Sequence, residues 1–147
     1  MKLGFTIVPH GQIGFMVPGL MANLQTSEMW TRGRATVDDI LAFLLSKQMV
    51  LWVAFEPDTK KIVGHIISEV KQYPQQKMLV LQYIAAEPHR MKDVEDVVHA
   101  TLEAYAKDMG CAGIEAFGRP GWGRHLNKRG YAVRTCVYEK YFVGEQP

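Results

Sequence analysis

The chain has 147 residues, 48% of them apolar and 22% charged, a balance that predicts one packed domain over residues 1–147 and argues against disorder. A formal net charge of +2, with Lys and Arg scattered, does not supply the dense basic face that binding to a phosphate backbone needs, so no nucleic-acid partner is expected. Cys111 and Cys136 have no CxxC spacing and no His pair nearby, which argues against a zinc site or a disulfide framework; no metal is expected.

The first 22 residues are apolar, but Pro9, His10, Gly11 and Gln12 interrupt them, unlike the unbroken stretch of a signal peptide. No run approaches the ~18 apolar residues of a membrane span. The expectation is therefore a soluble, cytoplasmic protein in a reduced setting, with no membrane partner. Residues 5–8 form a short β-branched run that reads as an opening strand. Leu20, Met21, Leu24 and Met29 allow a helix over residues 19–30, although the same Met-rich stretch also suits a mobile or partner-contacting segment.

Thr36 opens a second helix with Asp39 three residues on, and Val37, Ile40, Leu41, Leu44 and Leu45 carry the i, i+3, i+4, i+7, i+8 spacing of one buried stripe. Apolar runs at 50–55 and 62–70, separated by Pro57-Asp58-Thr59, predict a hairpin. A turn at 73–76 and a third run at 78–85 extend it into an antiparallel meander. Asp93 is the expected cap of a long helix, with Asp96 in the capping-box position and Val94, Val97, Val98, Thr101, Leu102, Tyr105 and Met109 on one face; Gly110 ends it. His99 falls on the polar side of that helix.

Residues 114–117 follow as a strand. A helix lies between it and the meander, which makes a crossover and thus a locally parallel pairing. Gly118-Arg119-Pro120-Gly121 leads into a short helix bearing Trp122 and Leu126 and ending at Lys128-Arg129-Gly130. Tyr131, Val133, Thr135 and Val137 alternate as a final strand. The fold class is α/β (α+β), a mixed, mainly antiparallel central sheet flanked by helices.

This order, the strand, Pro and helix around Leu79 to Met109, and the ending Lys128-Arg129-Gly130-Tyr131 resemble the GNAT N-acetyltransferases over nearly the whole chain. The resemblance implies acetyl-CoA as cofactor, an amine as substrate, and a site along the split between the strand ending at Ala86 and the strand from Ile114. It places Ala86, Arg90, Met91 and Lys92 as the cofactor-binding positions. In the family an R/Q-x-x-G-x-G/A loop presents bare amides to the pyrophosphate at a helix N-terminus. Here Asp93 and Glu95 replace the small residues. Carboxylates there stabilise the helix by ~0.3–1 kcal/mol each and repel an anion.

The family's catalytic Tyr, four residues before the last Gly, is Leu126 in this chain. The remaining candidates for acid or base are His125 and Glu87, residue types that in these positions are more often solvated surface groups. The Gly-Arg-Pro-Gly-Trp turn at 118–122 resembles GNAT-like proteins of tailed bacteriophages. That implies a structural or adaptor protein contacting other virion proteins, in the host cytoplasm or the virion, with an active amine acetyltransferase as the alternative.

Overall fold

The computed structural model of the chain describes residues 2–144. One mixed sheet contains β1 (Gly4–Ile7), β2 (Val50–Phe55), β3 (Ile62–Gln72), β4 (Lys77–Ala86) and β5 (Gly113–Ala116) in that spatial order. The first three pairings are antiparallel and β4 with β5 is parallel, as the intervening helix requires. Helices cover both faces: α1 (Ile13–Trp30) and α2 (Val37–Leu45) on one, α3 (Met91–Asp108) on the other. A 3-10 turn at Pro120–Trp122 runs into α4 (Gly123–Asn127).

Two cores explain why β2 reads as an unbroken apolar run. Trp52 and Ala54 pack toward α3, while Leu51 and Val53 pack toward α1 and α2, so both faces of the strand are buried. Toward α3, Trp52 stacks on Phe5 at 5.4 Å, meets Tyr105 edge-on at 5.0 Å and donates its Nε1–H to Ser68 Oγ at 3.0 Å. The opposite core is built on Leu20 and Leu24 of α1 with Ile40 and Leu44 of α2. The predicted capping box closes α2: the Asp39 amide donates to Thr36 Oγ1 at 3.2 Å and the Thr36 amide to Asp39 Oδ2 at 2.9 Å. Leu45, placed in the stripe by spacing, is instead exposed at the end of the helix.

Three expectations are corrected. The first helix begins at Ile13, not Gly19, and carries Pro18 and Gly19 inside it. Burial of Ile13, Leu20 and Leu24 outweighs their local cost. The long helix begins at Met91 with Arg90 as an N-cap that makes no side-chain cap bond, so Asp93 lies within the first turn and does not cap it, and Asp96 pairs with Arg129 at 3.2 Å. Gly110 ends this helix as expected, at a φ of +76° that favours glycine. Finally, residues 131–137 alternate yet form no strand, because no strand edge lies beside them within hydrogen-bonding reach.

β4 contains the feature that shapes the site. Ile67 pairs with Tyr83 and Ser68 with Leu81, leaving Gln82 as an extra, bulged residue. The bulge switches the inward face: Leu79 and Leu81 point toward α3 before it, Ile84 and Ala86 after it. It falls directly after Leu81↔Ala116, the last register pair between β4 and β5, beyond which only the Phe117 amide still reaches Leu81 O, at 3.3 Å. From there the two strands part.

Candidate functional site

The opening between the end of β4 and β5 faces the first half of α3, with α4 on its other side. It is largely filled. A residual cavity of about 60 Å³ remains, bounded by Leu81, Ile84, Val98 and Leu126 and by the polar residues described next. Small-molecule sites usually enclose ~300–1,000 Å³. Trp122 takes much of the space: a Cβ added at Gly118 would lie 2.5 Å from Trp122 Cε3, so the indole rests directly on that glycine.

Arg119 joins the two sides of this region. Its guanidinium lies 4.5 Å from the Trp30 ring centroid and 4.9 Å from that of Trp122, so it is sandwiched between the end of α1 and the turn before α4. Nothing local in the sequence pairs Trp30 with Trp122, which are 92 positions apart in a chain without repeats.

Glu95, His99, His125 and Tyr131 are the polar residues of the cavity wall. His125 Nδ1 lies 3.7 Å from Glu95 Oε2, and Arg129 Nε is 3.7 Å from Glu95 Oε1. His99 is not on a solvated face: its Nε2 is buried with no hydrogen-bond partner among the described residues, and its ring meets Tyr131 at 6.1 Å. Burial, with Arg129 nearby, lowers its pKa, and burial raises that of Tyr131. Helical periodicity missed His99 because α4 and Tyr131 cover the side of α3 that local spacing leaves to solvent.

The other sequence-derived residues lie around the N-terminus of α3. Glu87 caps the end of β4, its amide donating to Val63 O at 2.8 Å and its carboxylate paired with Lys61 at 3.1 Å. It does not border the cavity that holds His125. Ala86 pairs with Gly64 in the sheet, Met91 joins the cavity wall and Lys92 is exposed. Arg90, the expected phosphate ligand, is engaged by Asp93 at 3.0 Å and approaches Glu56 at 3.9 Å. A pyrophosphate here would have to displace one carboxylate from Arg90 and sit against another, in the field that acidic groups already occupy. Around Arg90 the residues present do not fit the phosphate end of acetyl-CoA, which would meet carboxylates.

No helix among the described residues is long and apolar enough to cross a membrane, and no cluster of three or more His, Cys, Asp or Glu side chains is placed to hold a metal. No family model and no curated protein sequence matches the chain. Solved structures do. Glucosamine-6-phosphate N-acetyltransferase from Arabidopsis thaliana is 14% identical, with 97% of this chain and 100% of that chain covered at a TM-score of 0.67. Ribosomal-protein-alanine N-acetyltransferase from Brucella melitensis is 15% identical, covering 97% and 100% at 0.67. An aminoglycoside acetyltransferase from an uncultured soil metagenomic sample is 15% identical, covering 98% and 100% at 0.69. The five-stranded, mostly antiparallel sheet with its flanking helices thus has the GNAT acetyltransferase fold.

Proposed function

We propose that this domain is a GNAT-fold scaffold that contacts other proteins, as an adaptor or structural part of a phage particle, and does not turn over acetyl-CoA. The observation that carries the reading is the closed split: about 60 Å³ remains where an acyl-pantetheine would have to lie. The carboxylates of Asp93, at the start of α3, and Glu56, after β2, support it, because they engage Arg90, which with Lys92 is one of the two cations the resemblance assigned to the cofactor. Fold alone does not confer activity, and the chemistry of this site is what departs. Exposed Phe15 and Met29 on α1 supply apolar contact surface for a partner.

The test is thermal unfolding of the chain with excess acetyl-CoA. A ligand at ~100 times its dissociation constant stabilises the folded state by about 2.7 kcal/mol. The expected result is no shift, together with recovery of the protein in purified particles by mass spectrometry. A CoA-specific shift followed by acetylation of an amine would overturn it.

That outcome belongs to a second reading, an amine N-acetyltransferase. It is favoured by one observation: Glu95, His99, His125 and Tyr131, an acid-base set, surround the apolar cavity. On that reading His125, held near Glu95, is the group to replace first.

A further inference from the structure

The turn Gly118-Arg119-Pro120-Gly121-Trp122 builds a feature that neither functional reading uses. Proline restricts the residue before it to extended backbone, and Arg119 is held there at φ −71° and ψ 151°. The Trp122 amide closes the turn on Arg119 O at 2.9 Å, and the bare backbone of Gly118 lets the indole rest beside it. From this fixed base the Arg119 side chain runs between Trp122 and Trp30, its guanidinium 4.9 Å and 4.5 Å from the two ring centroids.

Arg32, Arg34, Arg90 and Arg129 each engage a carboxylate. Arg119 makes no hydrogen bond and no ion pair among the described residues. Its N–H edge is also open, because the side-chain nitrogens sealed from solvent without a partner are those of His65 and His99. The two indoles thus hold the cation by its faces and spend none of its donors. A ligand at the edge neither has to order a free arginine side chain nor displace a resident acid. The rings also keep water from the faces, which strengthens a charge-assisted bond at the edge. The planar fork matches a carboxylate through two parallel N–H···O bonds of ~2.7–2.9 Å.

We propose that Arg119, clamped between Trp30 and Trp122, is a receptor for a carboxylate, supplied by an aspartate or glutamate within an apolar segment of a protein partner. Phosphate suits the edge less well, since phosphate sites combine several cations or add the free amides of a helix N-terminus, and here one clamped cation meets the ligand. The apolar character of the segment follows from the surroundings. Arg119 lines a groove of about 1030 Å³ whose walls include Met78, Ile114, Phe117, Leu126 and Val133. The charged residues along it are Arg119, Arg134 and Glu115, two cations against one acid, so a single acid flanked by apolar side chains complements it. The source of the carboxylate rests on the scaffold reading; the receptor itself does not.

Two capped tripeptides, Leu-Glu-Val and Leu-Gln-Val, serve as probes. Each is titrated into the full chain while NMR follows the Arg119 Nε–H resonance and the indole N–H resonances of Trp30 and Trp122. The glutamate peptide should move all three together and saturate in the millimolar range, and the glutamine peptide should move none of them. Arg119→Lys keeps the charge and loses the fork, so binding of the glutamate peptide, read on the indoles, should weaken by about tenfold. Arg124→Lys, on the exposed side of α4, should leave it unchanged.

Equal shifts with both peptides, no saturable shift with the glutamate peptide, or full binding by the Arg119→Lys chain would each overturn the inference. So would inorganic phosphate moving the same resonances at lower concentration than the glutamate peptide, which assigns the edge to a phosphoryl group. The peptide comparison uses the unmodified chain and stands even where the lysine variant fails to fold. Failure here leaves the acetyl-CoA measurement untouched, and a shift with acetyl-CoA removes the scaffold reading without moving the peptide result.

Discussion

His65, at the centre of β3, is 1% exposed, and its Nε2 lies 3.0 Å from Ser27 Oγ of α1, itself 3% exposed; its Nδ1 has no partner among the described residues. Burial lowers its pKa from 6.5 to about 4. The unfolded chain therefore takes up this proton as pH falls below about 6.5, whereas the folded chain resists until about 4. The stability tied to neutral His65 is present above the higher value and lost as pH drops through the lower one. Across the whole window the loss is about 3 kcal/mol, most of it gone by a pH of about 4.5. Urea unfolding at pH values of about 7.5 and 4.5 measures it. The double variant Ser27→Ala, His65→Leu removes both partners of the buried bond and keeps every other titrating group. It should lose about 2–3 kcal/mol less than the original chain between those two pH values. Equal losses in the two proteins, within ~0.5 kcal/mol, would refute the argument.

Two smaller perturbations test other joints of the fold. Thr36→Ala removes the acceptor for the Asp39 amide and should cost about 1 kcal/mol in urea unfolding, with no change in the denaturant slope. Arg119→Ala removes two ring contacts worth ~0.5–1 kcal/mol each and should lower stability by about 1–2 kcal/mol; Arg119→Lys should recover only part of that, because an ammonium lacks the planar face that stacks on both indoles.

What the sequence makes legible is what depends on near neighbours. The stripe through Ile40 and Leu44, the Thr36 box and the turns between β2, β3 and β4 are all set within a few residues, and all appear as read. The errors cluster where a distant segment decides. The apolar spacing starts the first helix at residue 19, yet the sheet face under α1 buries Leu20 and Leu24 and carries the helix back through Gly19, Pro18 and Gly14. The alternation at 131–137 is a true strand pattern, but a ladder also needs an edge beside it, and the chain holds this segment away from β5. Asp93 looked like a cap because carboxylates suit the first helical turn, and it does sit in that turn, three residues inside the boundary. The bulge at Gln82 leaves one trace: the face that carries Leu79 and Leu81 resumes at Ile84, one residue out of phase.

The bulge also accounts for the way the sheet opens between β4 and β5. An extra residue in β4 turns its inward face and ends its pairing with β5, so the sheet opens whatever ligand it meets. An opening inside a protein must then be filled, since unfilled apolar volume forfeits packing. In this chain the filling is supplied by the chain itself: Trp122 on Gly118, Leu126 at the position the resemblance assigned to a catalytic Tyr, and the Arg119 stack across to Trp30. Asp93 and Glu95 at the start of α3 serve the same end, stabilising the helix N-terminus and engaging Arg90 and Arg129. The backbone split and the side chains that fill it are therefore separable features: the bulge sets the first, and Trp122, Leu126 and Arg119 supply the second.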